Sequence, residues 1–147
     1  MKITSSIFEN NNDIPTKYTC DGSEINPSLV FSEIPKNTKS LILIVDDPDA
    51  PMGTFVHWVV FNIDPAITLI NEDFVPGGAI EGKNSAGSNK YVGPCPPSGT
   101  HRYFFKVYAL DIKLNLDNSA DKKQIEDNIK NHVLGSAEII GLYSRNK

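Results

Sequence analysis

Three stretches of the chain are dense in β-branched and aromatic residues, and Gly, Pro, Asn and Asp crowd the segments between them. Leu41-Ile42-Leu43-Ile44-Val45 is an unbroken apolar run, too short for a helix, and predicts a strand buried on both faces. It runs into Asp46-Asp47-Pro48-Asp49-Ala50-Pro51, whose acids and prolines are expected to end a central strand. Phe55 to Ile63 predicts a second strand and His101 to Leu110 a third. Shorter candidates lie at Ile3 to Phe8, Leu29 to Phe31 and Glu138 to Tyr143. The first two sit in a segment punctuated by Asn10-Asn11-Asn12-Asp13, Asp21-Gly22 and Asn26-Pro27. Residues 64–100 read as a long loop with buried short elements, ending in Gly93-Pro94-Cys95-Pro96-Pro97-Ser98-Gly99. Only one segment carries a helical repeat. Ile125, Ile129 and Val133 recur every four residues and predict a helix over Ser119 to Asn131, with Ser119 capping its start and Gly135 stopping its end. Strands outnumber helices, so the expected class is mainly β, an antiparallel sandwich with one C-terminal helix and long loops.

Composition narrows the functions open to such a fold. The 147 residues suit one domain, residues 1–147, large enough to fold without a metal or a disulfide. A formal net charge of −4, with Lys122-Lys123 the only adjacent basic pair, speaks against nucleic acid and against an anionic membrane surface as partners. No apolar run approaches a membrane span, so stable membrane insertion is not expected. The first residues lack the apolar core of a signal peptide, and a cytoplasmic location is expected. Cys20 and Cys95 are then expected as free thiols, with a disulfide the less favoured alternative.

Ionisable residues gather at one end of each strong strand. Asp46 and Asp47 close the first, His57 lies near the start of the second, and His101 opens the third. If these strands are antiparallel neighbours, Asp47, His57 and His101 meet at one edge of the sheet. Tyr103, two residues beyond His101, points the same way. One carboxylate, two imidazoles and a phenol then converge beneath a Gly- and Pro-rich rim, whose backbone N–H groups are expected to add donors. Such a cluster suits phosphate or a similar oxyanion, with Asp47 orienting an imidazole. Arg102 alternates to the opposite face and reads as a structural ion-pair former. Asp46 and Asp49 read as turn caps. Trp58 is expected in the core, pointing away from His57. His132 is expected to complement the helix dipole. Cys95 is expected to be buried and inert.

Asp47-Pro48-Asp49-Ala50-Pro51 with His57-Trp58, followed by Gly93-Pro94-Cys95-Pro96-Pro97-Ser98-Gly99-Thr100-His101-Arg102-Tyr103, resembles the two signature regions of the phosphatidylethanolamine-binding protein family. The compact prokaryotic branch, described as Raf kinase inhibitor-like, is the nearest in pattern, and the resemblance covers nearly the whole chain. It implies a Greek-key β fold and a small pocket for phosphate, acetate or a phosphorylated head group such as phosphoethanolamine. Carried over by position, the pocket residues are Asp47, Pro51, His57, Pro97, His101 and Tyr103. The resemblance also implies a cis Ala50–Pro51 bond and a homodimer, and by analogy a kinase or protease as protein partner.

Three functions compete at this stage. A non-enzymatic binding module for a small anion, with no cofactor, fits the converging donors. A hydrolase built on an Asp–His pair, with Ser98 or Cys95 as nucleophile, is the alternative, but no nucleophile elbow is present. A kinase or protease inhibitor rests on analogy alone. Two His and an Asp are also metal-ligand types, but the helical His spacing of common zinc hydrolases is missing, and no metal is expected.

Overall fold

The computed structural model describes residues 1–145. Its strands are β1 (Lys2–Thr4), β2 (Asn12–Asp13), β3 (Leu29–Ser32), β4 (Ser40–Asp47), β5 (Phe55–Ile63), β6 (Leu69–Ile70), β7 (Ile80–Glu81), β8 (Thr100–Leu110) and β9 (Val133–Ser144), with helix α1 (Lys122–Ile129) between the last two. They form a small antiparallel sheet, β1-β3-β6, and a six-stranded sheet ordered β2-β9-β8-β4-β5-β7. The larger sheet is antiparallel throughout except that β2 runs parallel to β9. The chain is a β-sandwich, as the pattern of strands and turns predicts, with the Greek-key order that the family resemblance implies.

Alternation on β4 divides the core in two. Leu41, Leu43 and Val45 face the small sheet and pack with Val107 and Phe105 of β8. Ile42 and Ile44 face the other way and pack with Ile125 and Ile129 of α1. The larger sheet is therefore covered on both faces, and this is why its central strand is apolar at every position from Leu41 to Val45.

Several local expectations are corrected. Strand β4 continues through Asp46 and Asp47, which are 1% and 3% exposed. Both carboxylates are accommodated because each has cationic or N–H partners. Asp46 Oδ2 accepts from Lys106 Nζ at 3.2 Å and Lys122 Nζ at 2.9 Å, so it ties α1 to the sheet rather than capping a turn. The helix is shorter than predicted. Asp121, not Ser119, caps it, in a capping box with Gln124. It ends before Asn131, which has φ 67°, and Gly135 lies inside β9. Val133 is thus a strand residue, 44% exposed. His132 Nδ1 donates to Asp111 Oδ1, 2.8 Å away, instead of serving the helix end.

Cys20 and Cys95 form a disulfide, which overturns the free thiols, and Cys95 is exposed rather than buried. The bond joins positions 75 residues apart, a proximity no local pattern signals. A bonded pair is what an oxidising compartment yields, so the thiols lend no support to a cytoplasmic location. All peptide bonds among the described residues are trans, Ala50–Pro51 included, contrary to the resemblance.

Candidate functional site

The middle of the larger sheet brings the ionisable strand ends together. β4 pairs antiparallel with β5 on one side and with β8 on the other. Asp47 stands opposite Phe55, and Asp46 opposite Phe104. Asp47, Phe55, His57, His101 and Tyr103 all line one cavity of about 190 Å³ on the small-sheet side. The loop residues Ala50, Pro51, Val92, Gly93, Cys95, Pro96 and Pro97 complete its wall. All six residues carried over from the family pattern therefore surround one space. That space is smaller than the ~300–1,000 Å³ of sites for drug-sized ligands and suits a small group.

His57 reaches the cavity through an irregularity in β5. Val45 pairs with Trp58, but the next residue, Asp46, pairs with Val56. His57 is the extra residue of a β-bulge, which re-aims a side chain at the cost of one ladder position. Simple alternation would send Trp58 to the face opposite His57. The bulge keeps both on the sandwich side, where Trp58 joins the core and donates from Nε1 to Glu81 Oε2 at 2.8 Å. On β8 alternation is unbroken. His101 and Tyr103 face the cavity, and Arg102 faces away to bind Asp49, with Nε to Oδ2 and Nη2 to Oδ1 both at 2.9 Å. That guanidinium lowers the Asp49 carboxyl to about 2, and Asp49 is an ion-pair partner rather than a turn cap.

Hydrogen bonds fix both imidazoles. His101 Nδ1 lies 2.7 Å from Asp47 Oδ2, with both side chains buried. The other Asp47 oxygen, Oδ1, accepts from Asp49 N at 2.7 Å. His57 Nδ1 lies 2.6 Å from the Val92 carbonyl oxygen, which can only accept, so Nδ1 carries the hydrogen. Burial lowers the His57 pKa; the Val92 bond and the charges of Asp47, Asp46 and Glu24 oppose that without cancelling it. Tyr103 lies between the two rings, with centroids 5.3 Å from His57 and 6.4 Å from His101. Burial raises its pKa first, then the Asp47 charge, while the Cys95 backbone N–H pulls the other way. That N–H approaches the phenol without closing a hydrogen bond. His57 Nε2 and Tyr103 Oη are left as buried polar atoms with no protein partner.

The rim differs from expectation. Pro51, Pro96 and Pro97 have no N–H, the Gly93 N–H is taken by Glu24 Oε2 at 3.1 Å, and the Val92 N–H by the His57 carbonyl at 3.0 Å. Ser98 is not among the lining residues, and no Lys or Arg of the described residues is. Cys95, which lines the wall, has its sulfur committed to Cys20. A wider hollow of about 300 Å³ lies beside α1, and three of its polar side chains are engaged elsewhere: Lys122 binds Asp46, Asn84 binds Ser88 and the Lys90 carbonyl, and Asp121 caps the helix. Among the described residues no group of three or more His, Cys, Asp or Glu side chains is placed to hold a metal ion.

Sequence comparison extends what the geometry suggests. The family profile described as Phosphatidylethanolamine-binding protein matches residues 4–144. A UPF0098 protein of Methanothermobacter thermautotrophicus is 46% identical over 150 residues, covering 99% of each chain. One of Pyrococcus horikoshii is 49% identical, covering 96% of this chain and 75% of that one. Among solved structures, a phosphatidylethanolamine-binding protein homologue of Chlamydia trachomatis superposes with a TM-score of 0.95 at 39% identity, covering 99% of this chain and 97% of that one. YbcL of E. coli, described as a member of the mammalian family, gives 0.92 at 31% identity, covering 99% and 98%.

Proposed function

The chain belongs to the phosphatidylethanolamine-binding protein family, and from that premise we propose that it is a non-enzymatic binding protein whose pocket holds one small oxyanion, either phosphate or a phosphorylated head group. One observation carries this reading. His57 Nε2 and Tyr103 Oη are buried without partners, and both belong to residues around the same cavity. A buried polar atom left unpaired costs about 1–3 kcal/mol, and a guest that hydrogen-bonds to both atoms removes that cost. His101, oriented by Asp47, adds a third polar group, and Phe55, Val92 and the prolines make much of the remaining lining apolar. The binding reading also gains from the Cys95 disulfide, which withdraws one of the two nucleophiles that a hydrolase would use.

Isothermal titration with sodium phosphate and with phosphoethanolamine tests the proposal. Saturable binding to the wild type and at least tenfold weaker binding to His57→Ala are expected. No binding to the wild type, or equal binding to a folded His57→Ala, overturns it.

A further inference from the structure

The pocket offers an anion an unusual set of partners. His57 spends its Nδ1–H on the Val92 carbonyl, 2.6 Å away. His101 spends its Nδ1–H on Asp47 Oδ2, 2.7 Å away. In a neutral imidazole the second nitrogen is then a lone-pair acceptor, and His57 Nε2, buried and without a protein partner, is left as an acceptor at the cavity. Tyr103 Oη supplies an O–H, with the Cys95 amide approaching its oxygen side. Among the described residues no lysine or arginine lines the space.

A guest oxygen facing an imidazole nitrogen needs one proton on the line between them. It arrives either as an O–H of the guest or as an N–H taken from solvent. One such line starts from His57 Nε2, so the filled pocket holds one proton there beyond those already on the Nδ1 atoms and the phenol. Guests differ in how many they bring. Dihydrogen phosphate brings two and hydrogen phosphate one. Sulfate and phosphodiesters bring none.

Resting on the oxyanion reading above, we infer that the pocket selects guests that carry an ionisable O–H, phosphate or a phosphomonoester, over sulfate, by the proton that the His57 Nε2 acceptor requires. Burial of the His57 ring acts in the same direction, because it disfavours a proton taken from solvent. The charged and titratable groups that face the two rings do not alter the count. Asp47 holds His101, Asp46 and Glu24 act on His57 from farther off, and Asp49 is held by Arg102. Tyr143, opposite His101 on β9, gives its hydroxyl to Asp21. Each of these is present whichever guest enters, so it cancels in the comparison of two guests.

Linkage turns this into a measurement. Sulfate must draw one more proton from solvent than hydrogen phosphate does. Where hydrogen phosphate is the species in solution, the ratio of phosphate to sulfate affinity should then rise about tenfold per pH unit, and at least as steeply nearer pH 6, where dihydrogen phosphate prevails. Wild-type protein is titrated with sodium phosphate and with sodium sulfate at pH 6, 7 and 8, at fixed ionic strength. Each pH 8 titration is repeated in two buffers of different ionisation enthalpy, which counts the protons taken up. The expected result is a ratio rising with pH, and one more proton consumed by sulfate than by phosphate wherever sulfate binds. Both anions binding with a pH-independent ratio and equal proton uptake would sink this inference and leave the oxyanion reading standing. Failure of both to bind at all three pH values overturns the oxyanion reading itself.

Discussion

Asp47 and His101, 54 positions apart in sequence, are joined by a 2.7 Å hydrogen bond between side chains that are 4% and 9% exposed. The bond closes the gap between β4 and β8 at the pocket floor. Asp47→Asn removes the carboxylate and leaves His101 Nδ1 facing an amide that can turn its NH2 toward it. We expect a loss of about 1–3 kcal/mol in urea unfolding, together with at least tenfold weaker phosphate binding by calorimetry. Unchanged affinity would mean that the orientation of His101 does not matter to the guest.

The preceding residue gives the opposite result. Asp46 leaves β4 by the other face and binds Lys106 and Lys122. Both lysines are part-exposed, at 26% and 22%, and regain water when released. Asp46→Ala should therefore cost roughly 2–3 kcal/mol, less than the ~3–5 of breaking a fully buried pair. Phosphate affinity of the folded protein should stay within twofold of wild type, read in the same titration.

Gly93 is confined by backbone. A Cβ there would stand 2.8 Å from the Tyr18 carbonyl oxygen and 2.9 Å from Thr19 Cα. Neither atom yields as a flexible side chain would. Gly93→Ala should lower stability by about 1–3 kcal/mol. Because Val92 holds the His57 ring, the same substitution should raise the dissociation constant for phosphate.

The Cys20–Cys95 bond closes a long loop onto the pocket wall. Replacing both cysteines by serine should cost about 2–4 kcal/mol, seen as a lower urea midpoint. Wild type in reductant should unfold at a midpoint matching the double variant. Thiol titration of oxidised, denatured protein should find no free sulfhydryl.

His57 makes the empty protein sensitive to acid. Its folded pKa lies below the ordinary 6.5, with burial the largest cause. The unfolded chain therefore takes up the proton first, and the stability this contributes is complete above pH 6.5. It is lost as pH falls from there toward the folded value. In phosphate-free buffer, thermal melting points should decline from pH 7 to pH 5 more steeply for wild type than for His57→Gln. Parallel declines would assign the acid sensitivity to other groups.

What the sequence discloses follows from how local each cause is. Strands β4, β5 and β8 are legible because burial on both faces, or strict alternation, writes itself into consecutive residues. His101, Tyr103 and Arg102 fall on their correct faces for the same reason. The bulge at His57 is not legible, because it depends on how β5 meets β4 rather than on β5 alone. The continuation of β4 through two aspartates is hidden likewise, since their neutralising partners come from β8 and α1. The parallel pairing of β2 with β9 and the disulfide join distant segments and leave no local trace. The cap at Asp121 was within reach: Asp121 and Gln124 have capping-box spacing, and Asn131 is the type of residue that accepts a positive φ.

A wall without lysine or arginine has a consequence for kinetics. Among the described residues no lysine or arginine lines the cavity to draw an anion inward, and the chain as a whole repels one at a net charge of −4. Guests arrive by unaided diffusion, and added salt should leave the association rate constant nearly unchanged or raise it slightly. Discrimination is exercised after arrival, in how long each visitor stays.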